Sequence, residues 1–291
     1  MRASCSSLRL VIGWSGAPST HQNALSAYDV ILSCIPEIVA SLNETGKRTF
    51  HVHHAFEPTI LQKIDTKRPA TIGLSFVGQL VPGSALHEER QRMLVRLAEL
   101  FDIEIHSPGV SSLKARAKRR LDATVTSAVE TLADVPLPAR VRAVIARRAS
   151  APTDRRVNAP ESFMRRIRSP VFGLEMFQLL RDSRATFNCH LGASRHSASN
   201  MRLFEATGVG TCLVTDMKDN LSDLFTPDEE VVTYRSLEEC VEKLRWVSAD
   251  SARARAIGAR AQARTLRDHT FDVRAARLDE LMRALLTAHI R

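Results

Sequence analysis

A chain of 291 residues, 44% hydrophobic and 25% charged, is long enough for two domains and too apolar for wholesale disorder. No apolar run approaches the ~20 residues that span a bilayer, and five scattered cysteines without a C-x-x-C pattern argue against a disulfide framework or a zinc site. The net charge of +9 is local: residues 111–168 hold fourteen Lys and Arg against five Asp and Glu, and the rest balances at twenty-seven of each, which speaks for a patch rather than a uniformly basic nucleic-acid-binding protein.

In chain order, the start "MRASCSSLRLVIGWSG" is a poor signal peptide, because its apolar run is too short. It reads as a buried strand in a cytoplasmic protein. Apolar runs bounded by turn signals predict strands at 8–14, 28–34, 48–54, 71–78, 102–106, 185–190, 211–216 and 230–234. Helical stretches fall between them at 36–42, 86–101, 174–182 and 237–247, with two or three closing helices over 252–289. Such alternation implies parallel sheets in an α/β fold. The polar stretch "DTKRP" (65–69) marks a boundary with three strands before it and five after. Five strands make a doubly wound sheet, whereas three do so poorly, so the first lobe is expected to be partial. Residues 111–168 interrupt the pattern, with Leu121, Val125, Val129 and Leu132 at helical spacing.

The densest chemistry lies in "NMRLFEATGVG" (200–210). Ser197 or Ser199 can cap a helix that starts near Asn200. Arg202 and Glu205, three apart, share one face of it. At the carboxyl end of a parallel strand, backbone amides and a permanently charged Arg202 suit a diphosphate. The acceptor-only carboxylate of Glu205 suits two vicinal ribose hydroxyls. Gly208 and Gly210 end the helix and allow close approach. The alternative is a solvated Arg–Glu pair followed by an ordinary glycine cap. Asn188 and His190 close the preceding strand "ATFNCH" and can reach a sugar, or be satisfied structural residues. Gly78 follows the strand in "SFVGQL" and can admit a phosphate or simply turn the chain; Arg90, on the next helix, reads as a solvated charge. His51 and His53 share a strand face while His54 points away, and no carboxylate is spaced to complete a metal site.

Taken together, "FGLEMFQLLRDSRATFNCH", "NMRLFEATGVGTCLVTD", "LFTPDEEVVTYRSLEECVEKLRW" and "RDHTFDVRAARL" resemble, in order and spacing, the C-terminal domain of group 1 GT-B glycosyltransferases, nearest the spore-maturation-protein (CgeB-like) branch. "AYDVILSCIPEIVASLNETGKRTFHVHHAFEP" and "LSFVGQL" are similar to the same family's end of N-lobe and first C-lobe strand. The resemblance implies a Rossmann-like C-terminal lobe at 68–272, a partial Rossmann-like N-terminal lobe at 1–67, and a closing helix at 273–291. It implies an enzyme that takes a nucleotide-diphosphate sugar as donor, with no cofactor or metal, and an acceptor that is envelope polysaccharide or lipid-linked. Candidate catalytic residues are His190, Arg202 and Glu205; candidate donor-binding residues are Gly78, Asn188, Asn200, Arg202, Glu205 and Gly208. Glu205 matches the second acid of the family's E-x7-E pattern, while Ser197 stands where the first would be. The alternative is an inactive nucleotide-sugar-binding or scaffold protein.

The basic segment 111–168 admits three roles: a solvated face, a peripheral contact with anionic membrane, or a nucleic-acid site, which the single aromatic Phe163 disfavours. Liposome flotation separates the first two. A membrane contact predicts flotation with anionic lipid alone, a solvated face predicts none, and a salt-sensitive shift with RNA indicates the third.

Overall fold

The computed structural model describes residues 8–17, 22–81, 84–108 and 160–288, and divides into two compact units. One is Met1–Ser75 with Phe172–Arg291, the other Phe76–Val171. In the first unit β1 (Ile12–Trp14), β2 (Val30–Ser33) and β3 (Thr49–His51) form a parallel sheet in the order β1-β2-β3. The run Val30–Ser33 is buried along its length, as a strand covered on both faces requires. Between β2 and β3, α1 (Pro36–Glu44) begins with a proline in its first turn, where no amide partner is lost.

Strand β4 (Ile72–Val77) straddles the division. The second unit continues with α2 (Glu88–Leu100), β5 (Ile103–His106), α3 (Glu161–Arg166) and the two-residue β6 (Ile167–Arg168), in the order β6-β5-β4. Helix α2 buries Met93, Leu94, Leu97 and Ala98. Strand β6 was not expected from the sequence, because two residues leave no alternation to read. Of the basic segment, residues 111–159, with the helical spacing from Leu121 to Leu132, lie outside the described residues.

Back in the first unit come α4 (Gly173–Arg181), β7 (Ser183–Asn188), α5 (Arg202–Gly208), β8 (Cys212–Asp216), α6 (Leu221–Leu224) and β9 (Val232–Tyr234). Helices α7 (Leu237–Ala249), α8 (Ser251–Asp268) and α9 (Phe271–Ala288) close the chain. Strands β4, β7, β8 and β9 pair in parallel, with Leu74 opposite Ala185, Asn188 opposite Thr215, and Asp216 opposite Tyr234. Side-chain oxygens start the last helices: Ser236 accepts from the Glu239 amide, and Asp250 from those of Ala252 and Arg253. Helix α9 returns to the first sheet, where Leu285 packs with Val30 and Leu32, flanked by Leu278 and Leu281.

Helix α5 is held on two sides. Phe56, 1% exposed, sets its ring where a Cβ on Gly208 would lie, 2.3 Å from the nearest ring atom. On the other side α8 comes close at Gly258, whose own Cβ would fall 2.3 Å from the Gly210 carbonyl. Thr207 and Thr265 join hydroxyls at 2.7 Å, and Gln262 donates to the Gly208 carbonyl at 2.9 Å. The helix ends in a Schellman turn: the amide of Gly210 donates to the Thr207 carbonyl and that of Thr211 to Ala206, with Gly210 at φ 81°.

Phe56 is tied to the junction of α8 and α9 by reciprocal backbone bonds: its amide donates to the His269 carbonyl, and its carbonyl accepts from Phe271. Just before it, the rings of His51 and His53 meet at 4.2 Å, although the strand ends at His51 and His53 lies beyond it. Burial, with cationic neighbours including Arg274, lowers His53 from 6.5 to about 3.

Gly208→Ala forces a methyl into the buried ring of Phe56; overpacking of about 1–3 kcal/mol outweighs a helix-propensity gain of about 1 kcal/mol. Urea denaturation should show the loss, and Phe56→Leu in the same chain should recover part of it. For His53, a folded pKa below the unfolded one means the unfolded chain binds the extra proton between pH 6.5 and about 3. Its contribution to stability is present above pH 6.5 and falls as the pH drops through that window; His53→Asn should flatten the stability–pH curve there.

Candidate functional site

Strands β7 and β8 end side by side, so the residues just beyond them meet. The amide side chain of Asn188 donates to Thr215 Oγ1 at 2.9 Å and its oxygen accepts from Asn200 at 2.9 Å. The Asn188 carbonyl accepts from the buried Tyr234 hydroxyl at 2.7 Å. Asn200 in turn accepts from the Leu203 amide at 3.3 Å. Asn200 therefore supplies the side-chain contact at the entry of α5, and Ser197 and Ser199 do not. Ser199 is bonded to Ser194 at 2.6 Å, and the Ser197 amide points to Glu37.

His190 is enclosed, its side chain 0% exposed. Asp216 Oδ1 accepts from its Nδ1 at 2.7 Å and from its backbone amide at 3.0 Å. A carboxylate that only accepts places the proton on Nδ1, which leaves Nε2 as the ring's second polar atom; it is buried with no partner. Lys218 lies 3.1 Å from the other oxygen of Asp216. Burial would raise the Asp216 pKa, but His190 and Lys218 outweigh it and hold the carboxyl well below the usual range.

Arg202 and Glu205 form an ion pair at 2.9 Å with side chains 13% and 14% exposed. A solvated surface pair does not describe it. Arg202 Nη1 also faces the Met176 sulfur at 3.3 Å, and its Nε is buried without a partner. Burial lowers the guanidinium pKa, and Glu205 opposes the shift. Such a pair holds a cation in low dielectric with spare hydrogen-bonding capacity.

The loop between β7 and α5 is fixed from outside. Glu37 Oε1, from α1, accepts from the amides of His196 and Ser197, each at 3.0 Å. Asn220 clasps Ala198, accepting from its amide at 2.6 Å and donating to its carbonyl at 3.3 Å. Sequence reasoning missed Asp216, Glu37 and Asn220. Asp216 was within reach of it, since "ATFNCH" and "TCLVTD" are successive parallel strands with level ends. Glu37 carries no local signal, being 159 residues from its partner.

Two glycines turn out to serve packing. The close approach that Gly208 admits is that of Phe56. Gly78, in the second unit, donates to the His106 carbonyl at 3.1 Å, and the Phe76 ring lies 2.8 Å from where its Cβ would be. Arg90, in the same unit, is only 8% exposed; it donates to the Gln79 carbonyl at 3.3 Å and sits over the Phe76 ring. The solvated charge expected there is buried. A cavity of about 260 Å³ lies elsewhere in the first unit, lined by His53, Arg264, His269, Arg274 and Arg277 among others. It includes none of Asn188, His190, Arg202 and Glu205.

No match was found among curated proteins. Among solved structures, sucrose-phosphate synthase of Thermosynechococcus elongatus superposes with a TM-score of 0.55 at 13% identity, over 91% of this chain and 60% of that one. HepE of Anabaena, in complex with UDP and glucose, gives 0.56 at 10% identity over 93% and 70%. A UDP-forming α,α-trehalose-phosphate synthase of Burkholderia xenovorans gives 0.53 at 14% identity over 96% and 70%. The chain thus spans 60% to 70% of the length of these proteins. At such identities the likeness shows the fold, which is of the GT-B type. Residues 90–280 match the profile of the family described as "Glycosyl transferase-like". By that match, which runs from within α2 into α9, the chain belongs to the glycosyl transferase-like family.

Proposed function

We propose that the protein transfers a sugar from a nucleoside-diphosphate donor to a hydroxyl-bearing acceptor, without a metal ion. The observation that carries this reading is the Arg202–Glu205 pair, enclosed yet incomplete, with Arg202 Nε buried and unpartnered. A buried donor left unsatisfied costs about 1–3 kcal/mol, and a diphosphate oxygen is the acceptor that suits a guanidinium. When the phosphate takes the guanidinium, the Glu205 carboxylate is released to accept from ribose hydroxyls. Asn188, Asn200 and His190 Nε2 stand on the same edge, where they can contact the sugar. As the bond between the sugar's anomeric carbon and the β-phosphate oxygen breaks, its electron pair stays on that oxygen and negative charge grows on the leaving diphosphate. Arg202, held in low dielectric and already positioned, stabilises that charge without reorganisation. UDP and UDP-glucose, bound in the crystals of HepE, support a donor of this class.

A different reading, a protein that binds such a nucleotide without turnover, predicts the same binding and no product. With the transferase reading go an envelope-polysaccharide or lipid-linked acceptor and a location at the inner face of the membrane through the basic segment 111–168.

Titration calorimetry with UDP, GDP and ADP tests the site. Arg202→Ala should weaken the best-bound nucleotide by about 10- to 100-fold, the worth of a charge-assisted bidentate contact. Glu205→Ala should weaken it as well, and unchanged affinity in both variants removes these assignments. Arg202→Ala should also destabilise the fold, since it strands a partly buried carboxylate. Because the countercharge is assigned to Arg202, release of nucleoside diphosphate from a donor sugar should persist in EDTA; activity restored only by a divalent ion contradicts that part.

A further inference from the structure

Glu37, from the helix that follows β2, reaches the loop before α5. It sits in the first turn of α1, directly after β2, and its two oxygens are in different situations. Oε1 accepts from two successive backbone amides, His196 and Ser197, at 3.0 Å each. Oε2 is buried and has no hydrogen-bond partner. Burial would raise the Glu37 pKa, yet the two amides, with its own backbone and the Ser197 side chain, bring it below the usual carboxylate value. Glu37 is therefore an ionised acceptor at neutral pH.

We propose that Glu37 Oε2 accepts a hydroxyl of the donor's sugar, so that this acid reads the sugar as Arg202 and Glu205 read the nucleotide; the inference rests on the donor reading above. Two physical arguments select the sugar. A buried, unpartnered carboxylate oxygen requires a donor, and a fixed negative charge disfavours a phosphate, so the matching part of a nucleotide sugar is its neutral, hydroxyl-bearing end. Position selects the donor over the acceptor. The amides gripped by Glu37 lie three and four residues before Asn200, in a loop also pinned by Asn220 at Ala198.

The test compares bare UDP, GDP and ADP with their glucose, mannose and N-acetylglucosamine esters by calorimetry on the full chain. Glu37→Gln keeps an oxygen for the two amides and turns the free oxygen into a donor. It should weaken the best-bound ester about ten-fold, the equivalent of ~1.4 kcal/mol, while bare diphosphate binding stays within about two-fold, within the range of surface-level effects. Retained diphosphate affinity also shows that the variant is folded. Equal losses for ester and bare diphosphate would mean that Glu37 only holds the loop, and no loss for any ester would mean that Oε2 meets solvent; either result overturns the inference and leaves the donor reading standing. If the unaltered protein binds none of the nucleotides, the donor reading fails and takes this inference with it.

Discussion

Everything proposed for the site depends on how tightly α5 is held. A seven-residue helix has little stability of its own, and an ion pair at its entrance would cost more than it returned if the backbone beneath it could move. Phe56 against Gly208 and the α8 backbone against Gly210 leave no room for such movement. The Thr207–Thr265 and Gln262–Gly208 contacts add hydrogen bonds on the same side. Arg202 and Glu205 can then be kept a single hydrogen-bond length apart in a partly dry environment, where a cation's field acts strongly on a ligand.

The same packing joins distant parts of the chain. Phe56 follows the histidine-rich end of the first sheet and is bonded through its backbone to residues 269 and 271. Its ring then supports the helix that carries the proposed donor contacts. The first 75 residues accordingly shape the site in two ways: Phe56 from beneath α5, and Glu37 from beside the loop that leads into it.

Much of the fold was legible because burial in a parallel sheet writes itself as short apolar runs. "VILSC" and "TCLVTD" are strands in the structure within a residue or two of where the pattern puts them. The two-residue β6 is too short to leave such a trace. Within the site, Arg202 and Glu205 were legible through helical spacing, and Gly210 through the αL turn that only a residue without a side chain takes easily. Burial of the ion pair was not, since a three-residue spacing looks the same on a wet face and a dry one. The reason for Gly208 was hidden for a related cause: the ring that fills its place comes from position 56. Asp216 behind His190 follows from strand register, and Glu37 from a contact that no local pattern encodes.

The most direct test of the central claim is a crystal structure of the protein with its best-bound nucleoside diphosphate. The account predicts the Arg202 guanidinium against the diphosphate oxygens, Nε included, and the Glu205 carboxylate turned to the ribose hydroxyls. A nucleotide bound elsewhere, with the 2.9 Å pair between Arg202 and Glu205 undisturbed, would contradict it.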